Sequence, residues 1–154
     1  MQYTQKISEN TKNEIKILWD AAYGAFQNAY APYSKYHVGA ALLCAHKSDE
    51  SFPNELFAAC NVENSSYGAT ICAERGAISQ AVAKGYKKIN KILVLTSSIT
   101  PAPPCGICLQ VLSEFAGPDT AIFLSNVNKQ FLELKLKDLL PLQYSSKELF
   151  NTIK

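Results

Sequence analysis

The sequence lacks the long apolar segments that mark membrane and secreted proteins. In its 154 residues the longest apolar runs, such as 38–45 and 92–95, fall well short of the roughly 20 residues that a transmembrane helix needs. The opening residues, MQYTQK, also lack the apolar core of a signal peptide. We therefore expect a protein with no membrane partner that resides in the cytoplasm.

Concentrated positive charge and histidine are scarce as well. The 15 Lys and Arg residues oppose 13 Asp and Glu residues, and no basic cluster is longer than the pair Lys87 and Lys88. A nucleic-acid-binding surface usually needs a concentrated basic face, so we expect no nucleic-acid partner. The two histidines, His37 and His46, lie in no metal-ligand pattern, and we expect both at the surface or at the edge of the core.

No repeat, low-complexity segment or linker divides the chain. Hydrophobic residues make up 47% of the sequence and charged residues 18%, which are values typical of a globular protein. A chain of this length suits one domain with a substantial core. We expect a single domain over residues 1–154.

Hydrophobic periodicity predicts an alternation of helices and strands. The sequence predicts helices over 11–29, 72–84 and 105–115, and a last short one from Ser145 onward. It predicts strands over 38–45, 56–62, 91–97, 121–125 and 131–136, of which the first two form a hairpin. This order favours an α/β fold in which helices cover a mixed sheet.

Five cysteines, an odd number, favour metal binding or chemistry over a disulfide framework in a cytoplasmic chain. Three of them fall into two short blocks that each open a predicted helix. Cys72 begins one helix, and Cys105 and Cys108 begin the other. Residues three apart share a helix face, so Cys105 and Cys108 can bind one ion together. If the two helix N-termini converge, their dipoles lower the pKa values of the thiols.

Three thiolates can hold a zinc ion and leave its fourth position for water, which is the arrangement of a catalytic zinc site. Glu74 follows Cys72 closely and can move protons beside such a water. Helical spacing alone does not direct Glu74 toward the metal, because residues two apart point to nearly opposite sides. Arg75 can donate hydrogen bonds to a thiolate and offset its charge. We therefore expect Zn²⁺ as the cofactor, one ion per chain.

Two other interpretations of the cysteines are weaker. A structural zinc site requires four protein ligands. The remaining cysteines, Cys44 and Cys60, lie in predicted strands, where we expect them to be buried small hydrophobic residues. A redox Cys-x-x-Cys motif usually lacks a third cysteine and a nearby glutamate. The pattern therefore favours a catalytic zinc site over both.

Several motifs, in order along the chain, resemble those of the small homotetrameric cytidine deaminases. The run APYSKYHVGAA at 31–41 is similar to an early motif of that family, and NVENSSYG at 61–68 to its nucleoside-binding segment. CAERGA at 72–77 and PCGICLQ at 104–110 resemble its two zinc blocks, which carry the signature of zinc deaminases. LLP at 139–141 resembles a late motif, so the likeness covers most of the chain.

The resemblance implies a three-layer α/β/α fold with a mixed five-stranded central sheet. It also implies a zinc-dependent enzyme that converts cytidine and 2′-deoxycytidine to uridine and 2′-deoxyuridine in pyrimidine salvage. In such an enzyme Glu74 is the catalytic residue that moves protons. The zinc ligands are Cys72, Cys105 and Cys108.

The resemblance also implies where the nucleoside substrate is held. Asn61 and Glu63 would hydrogen-bond the ribose 3′-hydroxyl group, since an amide and a carboxylate together donate and accept. Tyr36 would line the pocket of the base, and the backbone at Ala73 would contact it. Tyr144 would reach into a neighbouring subunit, so a homotetramer with shared sites is implied.

Four positions depart from the family pattern. Leu109 stands where Arg is usual, Tyr36 and Tyr144 where Phe is usual, and Ala59 where Gly is common. The change to Leu removes a charge and its hydrogen-bond donors, and a buried Tyr hydroxyl group needs a partner.

These departures leave other functions open. The chain could deaminate a modified or antibiotic cytosine nucleoside, or it could be a catalytically silent zinc-binding paralogue. A deaminase of nucleic acid would share the zinc blocks, but the scattered lysines disfavour it.

Overall fold

The computed structural model describes residues 9–46 and 54–144, which form a sheet with helices on both faces. The elements in chain order are α1 (Glu9–Phe26), β1 (Val38–His46), β2 (Glu55–Cys60), α2 (Ala73–Ala83), β3 (Tyr86–Thr96), α3 (Gly106–Ser113), β4 (Ala121–Asn126), β5 (Phe131–Lys135) and α4 (Leu136–Leu139). A 3-10 turn, Tyr67–Ala69, lies before α2. The helix predicted from Ser145 falls outside the described residues.

The five strands form one sheet in the order β2-β1-β3-β4-β5. β3 and β4 are parallel, whereas β1 is antiparallel to both of its neighbours and β5 is antiparallel to β4. The predicted mixed five-stranded sheet and its opening hairpin are therefore confirmed. Parallel neighbours need a crossover connection, and α3 lies in the connection between β3 and β4.

Side chains alternate between the two faces of the sheet, and each face packs against different helices. On one face α1 packs against a cluster of strand residues, namely Ala41, Leu93, Leu95 and Phe123. On the other face α2, α3 and α4 cover a larger cluster that includes Leu42, Ile92, Val94, Ile122 and Leu124. The three-layer α/β/α fold is confirmed. In the described part of the chain, no helix is long and apolar enough to cross a membrane.

β3 begins at Tyr86, earlier than the predicted start at residue 91. The prediction began too late because two charged residues interrupt the apolar pattern of the strand. Lys87 and Lys88 are exposed, whereas Tyr86 and Ile89 on either side of them are buried. These first residues pair with 44–46 of β1, so strand pairing extends β3 where the sequence alone shows no alternation.

β2 and α2 approach each other closely at Ala59, where the resemblance led us to expect glycine. A Cβ atom added at Gly76 of α2 would lie 3.0 Å from the Cβ atom of Ala59, closer than ordinary contact. The glycine in the helix therefore makes room for the alanine in the strand. The pair keeps α2, and with it Cys72, close to the sheet.

We expect the substitutions Gly76→Ala and Ala59→Gly to be coupled in stability. Alanine stabilises a helix interior by roughly 1 kcal/mol relative to glycine. In the parent protein, crowding of the new Cβ atom against Ala59 offsets this gain. In the Ala59→Gly background the crowding is absent, so Gly76→Ala should raise the free energy of unfolding by about 1 kcal/mol. Urea unfolding of the four proteins measures this coupling.

A glycine without a close neighbour provides the control for this experiment. A Cβ atom added at Gly24 of α1 would meet no atom within 4 Å. Gly24→Ala should therefore stabilise the parent and the Ala59→Gly variant equally. Equal effects of Gly76→Ala in both backgrounds would contradict the proposed contact.

Candidate active site

The residues predicted to be functional meet at one edge of the sheet. β1 begins there at Val38, which pairs with Thr96 at the end of β3. Thr96 in turn pairs with Asn126 at the end of β4. An isolated bridge between Val62 and Ile71 brings the start of α2 to the same edge, and the chain leaves β3 there on its way to α3.

Three cysteine sulfur atoms form a compact group at this edge. Cys72 and Cys105 are the N-cap residues of α2 and α3, and both have extended backbones. Their sulfur atoms lie 3.9 Å apart, and those of Cys72, Cys105 and Cys108 all lie within 4.8 Å of one another. Thiolates on one tetrahedral zinc ion lie roughly 3.8 Å apart, given Zn–S bonds of about 2.3 Å. The three donors therefore fit a single zinc ion.

The other two cysteines do not join this group within the described residues. Cys44 is buried in β1, as expected for a small hydrophobic residue. Cys60 is only half-buried, and its thiol donates a hydrogen bond to the carbonyl oxygen of Asn28 at 3.5 Å. The cysteine cluster thus supplies three ligands rather than the four of a structural zinc site.

The thiols of Cys72 and Cys108 differ in how easily they lose a proton. Hydrogen bonding with the Cys108 thiol, and then with the Arg75 guanidinium group, lowers the pKa of Cys72. The interaction with Cys72, together with burial, raises the pKa of Cys108. The negative charge formed when one thiol loses its proton thus opposes loss of a proton from the other. A bound cation removes this opposition, which is why such a group suits a metal.

Glu74 lies beside the cysteines although helical spacing did not predict it. The residue is 3% exposed, and burial raises the pKa of its carboxyl group above the usual range. The negative charge of Cys72 adds to this rise, whereas the interaction with Cys108 opposes it. Cys72 precedes the helix with a ψ angle of 153°, so helical periodicity does not relate its direction to that of Glu74.

Arg75 connects the cysteine cluster to the loop before α2. Its Nη2 atom donates to the carbonyl oxygen of Thr70 at 2.7 Å and contacts the sulfur of Cys72 at 3.7 Å. Its Nε atom is buried without a hydrogen-bond partner among the described residues. The guanidinium group therefore places a positive charge against the thiol of Cys72, whose pKa it helps to lower.

Asn61 is buried and holds the segment that leads into β1. Its Oδ1 atom accepts a hydrogen bond from the Val38 amide at 2.9 Å, and its Nδ2 atom donates to the Tyr36 carbonyl oxygen at 2.8 Å. A side-chain amide has two donor hydrogens and two acceptor positions. One donor and one acceptor position therefore remain available on Asn61.

Glu63 is held by the loop that follows α1. Its carboxylate accepts hydrogen bonds from the hydroxyl group of Ser34 and from the backbone amides of Tyr33 and Ser34, at 2.9 and 3.2 Å for the two amides. The bond from the Ser34 hydroxyl group is the main cause of a lowered pKa at Glu63. The carboxylate borders a cavity of about 260 Å³ that is lined by Tyr33, Ser34, Glu63, Asn64, Tyr67 and Thr70.

The remaining predicted site residues differ in how far they enter this region. Ala73 is fully buried as the first residue of α2, and Tyr36 lies at the edge beside Asn61. Tyr144 is 52% exposed, and its carbonyl oxygen accepts a hydrogen bond from Gln110. Leu109 is buried in the core cluster between α3 and the sheet.

Two serines at the site were missed by sequence reasoning. Ser34 hydrogen-bonds Glu63, and the hydroxyl group of Ser98 lies 3.1 Å from that of Tyr36. Each pair joins residues that are distant in the chain, so no local pattern could have predicted it. The hydroxyl group of Tyr36, which Phe would lack, has a hydrogen-bond partner in Ser98.

Comparison with known proteins agrees with this geometry. Residues 12–125 match the family model for the cytidine and deoxycytidylate deaminase zinc-binding region. A cytidine deaminase of Halalkalibacterium halodurans is 36% identical over 134 residues, which cover 87% of this chain and 96% of that protein. The crystal structure of cytidine deaminase from Burkholderia pseudomallei is 39% identical with a TM-score of 0.75, over 84% of this chain and 98% of the other.

A relative with a different name is also similar over most of its length. A blasticidin-S deaminase of Bacillus cereus is 29% identical over 120 residues, which cover 73% of this chain and 79% of that protein. The family match includes all three cysteines and Glu74. The chain belongs to the cytidine and deoxycytidylate deaminase family.

Proposed function

We propose that the protein catalyses the zinc-dependent hydrolytic deamination of cytidine and 2′-deoxycytidine to uridine and 2′-deoxyuridine, in pyrimidine salvage. The observation that carries the proposal is the buried carboxyl group of Glu74 near Cys72 and Cys108, two of the three thiols that fit one metal ion. The names of the relatives, cytidine deaminases that align over most of the chain, support this substrate class.

In the proposed holoenzyme Cys72, Cys105 and Cys108 hold one zinc ion per chain. Bound there, zinc would lower the pKa of a water molecule toward neutrality and so provide a nucleophile. The N-termini of α2 and α3 both face the cluster, and Arg75 adds a positive charge beside Cys72. These groups offset the negative charge that three thiolates accumulate.

Glu74 is the residue to which we assign the proton transfers. The reaction adds water at C4 of the cytosine ring, breaks the bond from C4 to the amino nitrogen and releases ammonia. One proton must reach ring N3 as water adds, and another must reach the amino nitrogen as it leaves. Because burial raises its pKa, the carboxyl group of Glu74 holds a proton near neutral pH more readily than an exposed carboxyl group does.

Asn61 and Glu63 are the proposed contacts to the ribose 3′-hydroxyl group. Asn61 keeps one donor and one acceptor position free, and the lowered pKa of Glu63 keeps its carboxylate ionised as an acceptor. Tyr36 and the backbone of Ala73 would contact the base at the same edge of the sheet.

We propose a homotetramer in which neighbouring subunits complete each site. Three exposed apolar side chains lie side by side next to the site, because Tyr30 bridges to Val62 and Val62 bridges to Ile71. They are 45–56% exposed, and a cluster of this kind is typical of a subunit interface. The exposed ring of Tyr144 is the group that would enter a neighbour's site.

The proposed location is the cytoplasm, where a salvage enzyme meets free nucleosides. All five cysteines are free thiols, which suits a reducing compartment.

A modified or antibiotic cytosine nucleoside is a second candidate substrate. The similarity to a blasticidin-S deaminase favours it, as do Tyr36 and Leu109 in place of the usual residues. Blasticidin S, cytidine and 2′-deoxycytidine, compared by kcat/KM, separate the two candidates. A kcat/KM for blasticidin S above that for both nucleosides would replace the salvage proposal.

Loss of one ligand should remove the metal. Cys105→Ser should lower the zinc content from about one ion per chain to a small fraction, because the oxygen is a poorer zinc ligand than a thiolate. Cys60→Ser is the matched control, since its thiol lies outside the cluster. Zinc is measured on gel-filtered protein by atomic emission, and a full zinc content in Cys105→Ser would refute the ligand assignment.

Glu74→Gln should abolish turnover while leaving the metal in place. The amide has the size of the carboxyl group but cannot accept and return a proton, so kcat should fall by about 10²–10⁴-fold or more. Ultraviolet assays with cytidine measure the rate, and zinc content and Tm are measured on the same samples. Glu114→Gln, on the exposed end of α3, is the control with the same chemical change. Substantial activity in Glu74→Gln would overturn the mechanism.

Arg75→Ala should weaken activity more than it weakens the fold. Removal of the charge beside Cys72 should lower kcat or zinc affinity by about 10–100-fold, while the free energy of unfolding falls by about 1–2 kcal/mol from lost hydrogen bonds. Arg75→Lys keeps the charge and should recover part of the activity. Unchanged kcat and zinc affinity in Arg75→Ala would exclude an electrostatic role for this residue.

A further inference from the structure

We infer that Ser98 is a positioning residue that fixes the ring of Tyr36, and thereby sets the affinity of the site for the substrate base. The inference rests on the proposed function, in which Tyr36 lines the base pocket. The observation behind it is the hydroxyl pair, Tyr36 Oη and Ser98 Oγ, which lie 3.1 Å apart.

The backbone of Tyr36 is already fixed by other contacts. Its amide donates to the Ser34 hydroxyl oxygen at 2.9 Å, and its carbonyl oxygen accepts from the Asn61 amide at 2.8 Å. The side chain, in contrast, is 38% exposed, so core packing does not enclose the ring. A half-exposed aromatic ring keeps its freedom to rotate unless a specific contact holds it. The hydrogen bond to Ser98 is such a contact.

Ser98 is itself anchored on both sides. Before it, the amide of Ser97 donates to the His37 carbonyl oxygen at 3.0 Å, and the Ser97 hydroxyl oxygen accepts from the His37 amide at 3.1 Å. After it, the Ile99 carbonyl oxygen accepts from the Nδ2 atom of Asn126 at 2.6 Å. Ser98 therefore offers its hydroxyl group from a fixed position.

Asn126 gives this anchor its rigidity. The residue is fully buried at the end of β4, and its Nδ2 atom donates to both the Ile99 carbonyl oxygen and Gln130. Its Oδ1 atom accepts from the amides of Asn128 and Gln130, so all four hydrogen-bonding positions of the side chain are used. The loop with Ser98 is thus attached to the end of the sheet and continues to Cys105.

The hydroxyl pair thus connects two segments of the site. Tyr36 belongs to the segment that enters β1, and Ser98 to the loop that leads from β3 to the second pair of cysteines. A phenylalanine at position 36 would leave this connection out. The tyrosine at position 36 therefore changes how firmly the ring is held rather than the size of the base pocket. Ser98 provides the hydrogen bond that holds the ring.

A double-mutant cycle on kcat and KM tests the inference. Ser98→Ala should raise KM for cytidine about three- to tenfold with kcat within about twofold, as expected from loss of one hydrogen bond that orders a binding group. In the Tyr36→Phe background Ser98→Ala should change nothing further, because the partner hydroxyl group is already absent. Ser98→Thr keeps a hydroxyl group and should restore the parent KM.

Ser79→Ala is the matched control, since it removes a serine hydroxyl group on the exposed face of α2 that donates to the Arg75 carbonyl oxygen and does not contact Tyr36. KM should stay within about twofold of the parent. Direct binding of uridine to the Glu74→Gln variants, measured by calorimetry, should show the same pattern without turnover. An equal effect of Ser98→Ala in both backgrounds, or a loss of kcat and Tm with unchanged KM, would overturn the inference.

The outcome of this experiment is distinct from that of the proposed function. A parent protein that deaminates no cytosine nucleoside refutes the function and this inference with it. A parent that is active, with Ser98→Ala indistinguishable from it in KM and in uridine binding, refutes the inference alone.

Discussion

The site depends on two helices that begin at the same edge of the sheet with a cysteine at each N-cap. An N-cap residue has an extended backbone, so its side chain is free of the helical spacing that fixes the residues after it. Cys72 and Cys105 can therefore face each other across the gap between α2 and α3, while Cys108 joins them from the first turn of α3. The strand order, the crossover through α3 and the contact between Gly76 and Ala59 all hold these two N-termini in place.

Much of this arrangement could be predicted from the sequence, and the exceptions share a cause. Alternation and helical spacing predicted the five strands and the helices α1, α2 and α3, because they report which face of an element is buried. The short helix α4 was not predicted, and the three-layer arrangement came from the family resemblance. The start of β3 was missed where Lys87 and Lys88 interrupt the pattern. The position of Glu74 came from a signature and not from spacing. The partners of Tyr36 and Glu63 are distant in the chain, and a local pattern carries no information about such pairs.

Asn61 and Glu63 have two roles in the proposed enzyme. Each holds a neighbouring loop by hydrogen bonds, and each would also contact the sugar of the proposed substrate. Their positions are fixed before a ligand arrives, which reduces the entropy lost on binding. The same loop carries Tyr36, so the proposed contact to the base and the proposed contact to the sugar would be held by one set of interactions.

The separation of the cysteines along the chain has a consequence for folding. Cys72 and Cys105 are 33 residues apart, and the intervening segment contains α2 and β3, the central strand of the sheet. A metal ion bound between them closes a loop around this segment. The two cysteines lie close together when β3 is in place between β1 and β4, so binding of the ion favours the folded sheet over the unfolded chain. In the proposed holoenzyme, metal affinity is therefore also a measure of how well the centre of the sheet is folded.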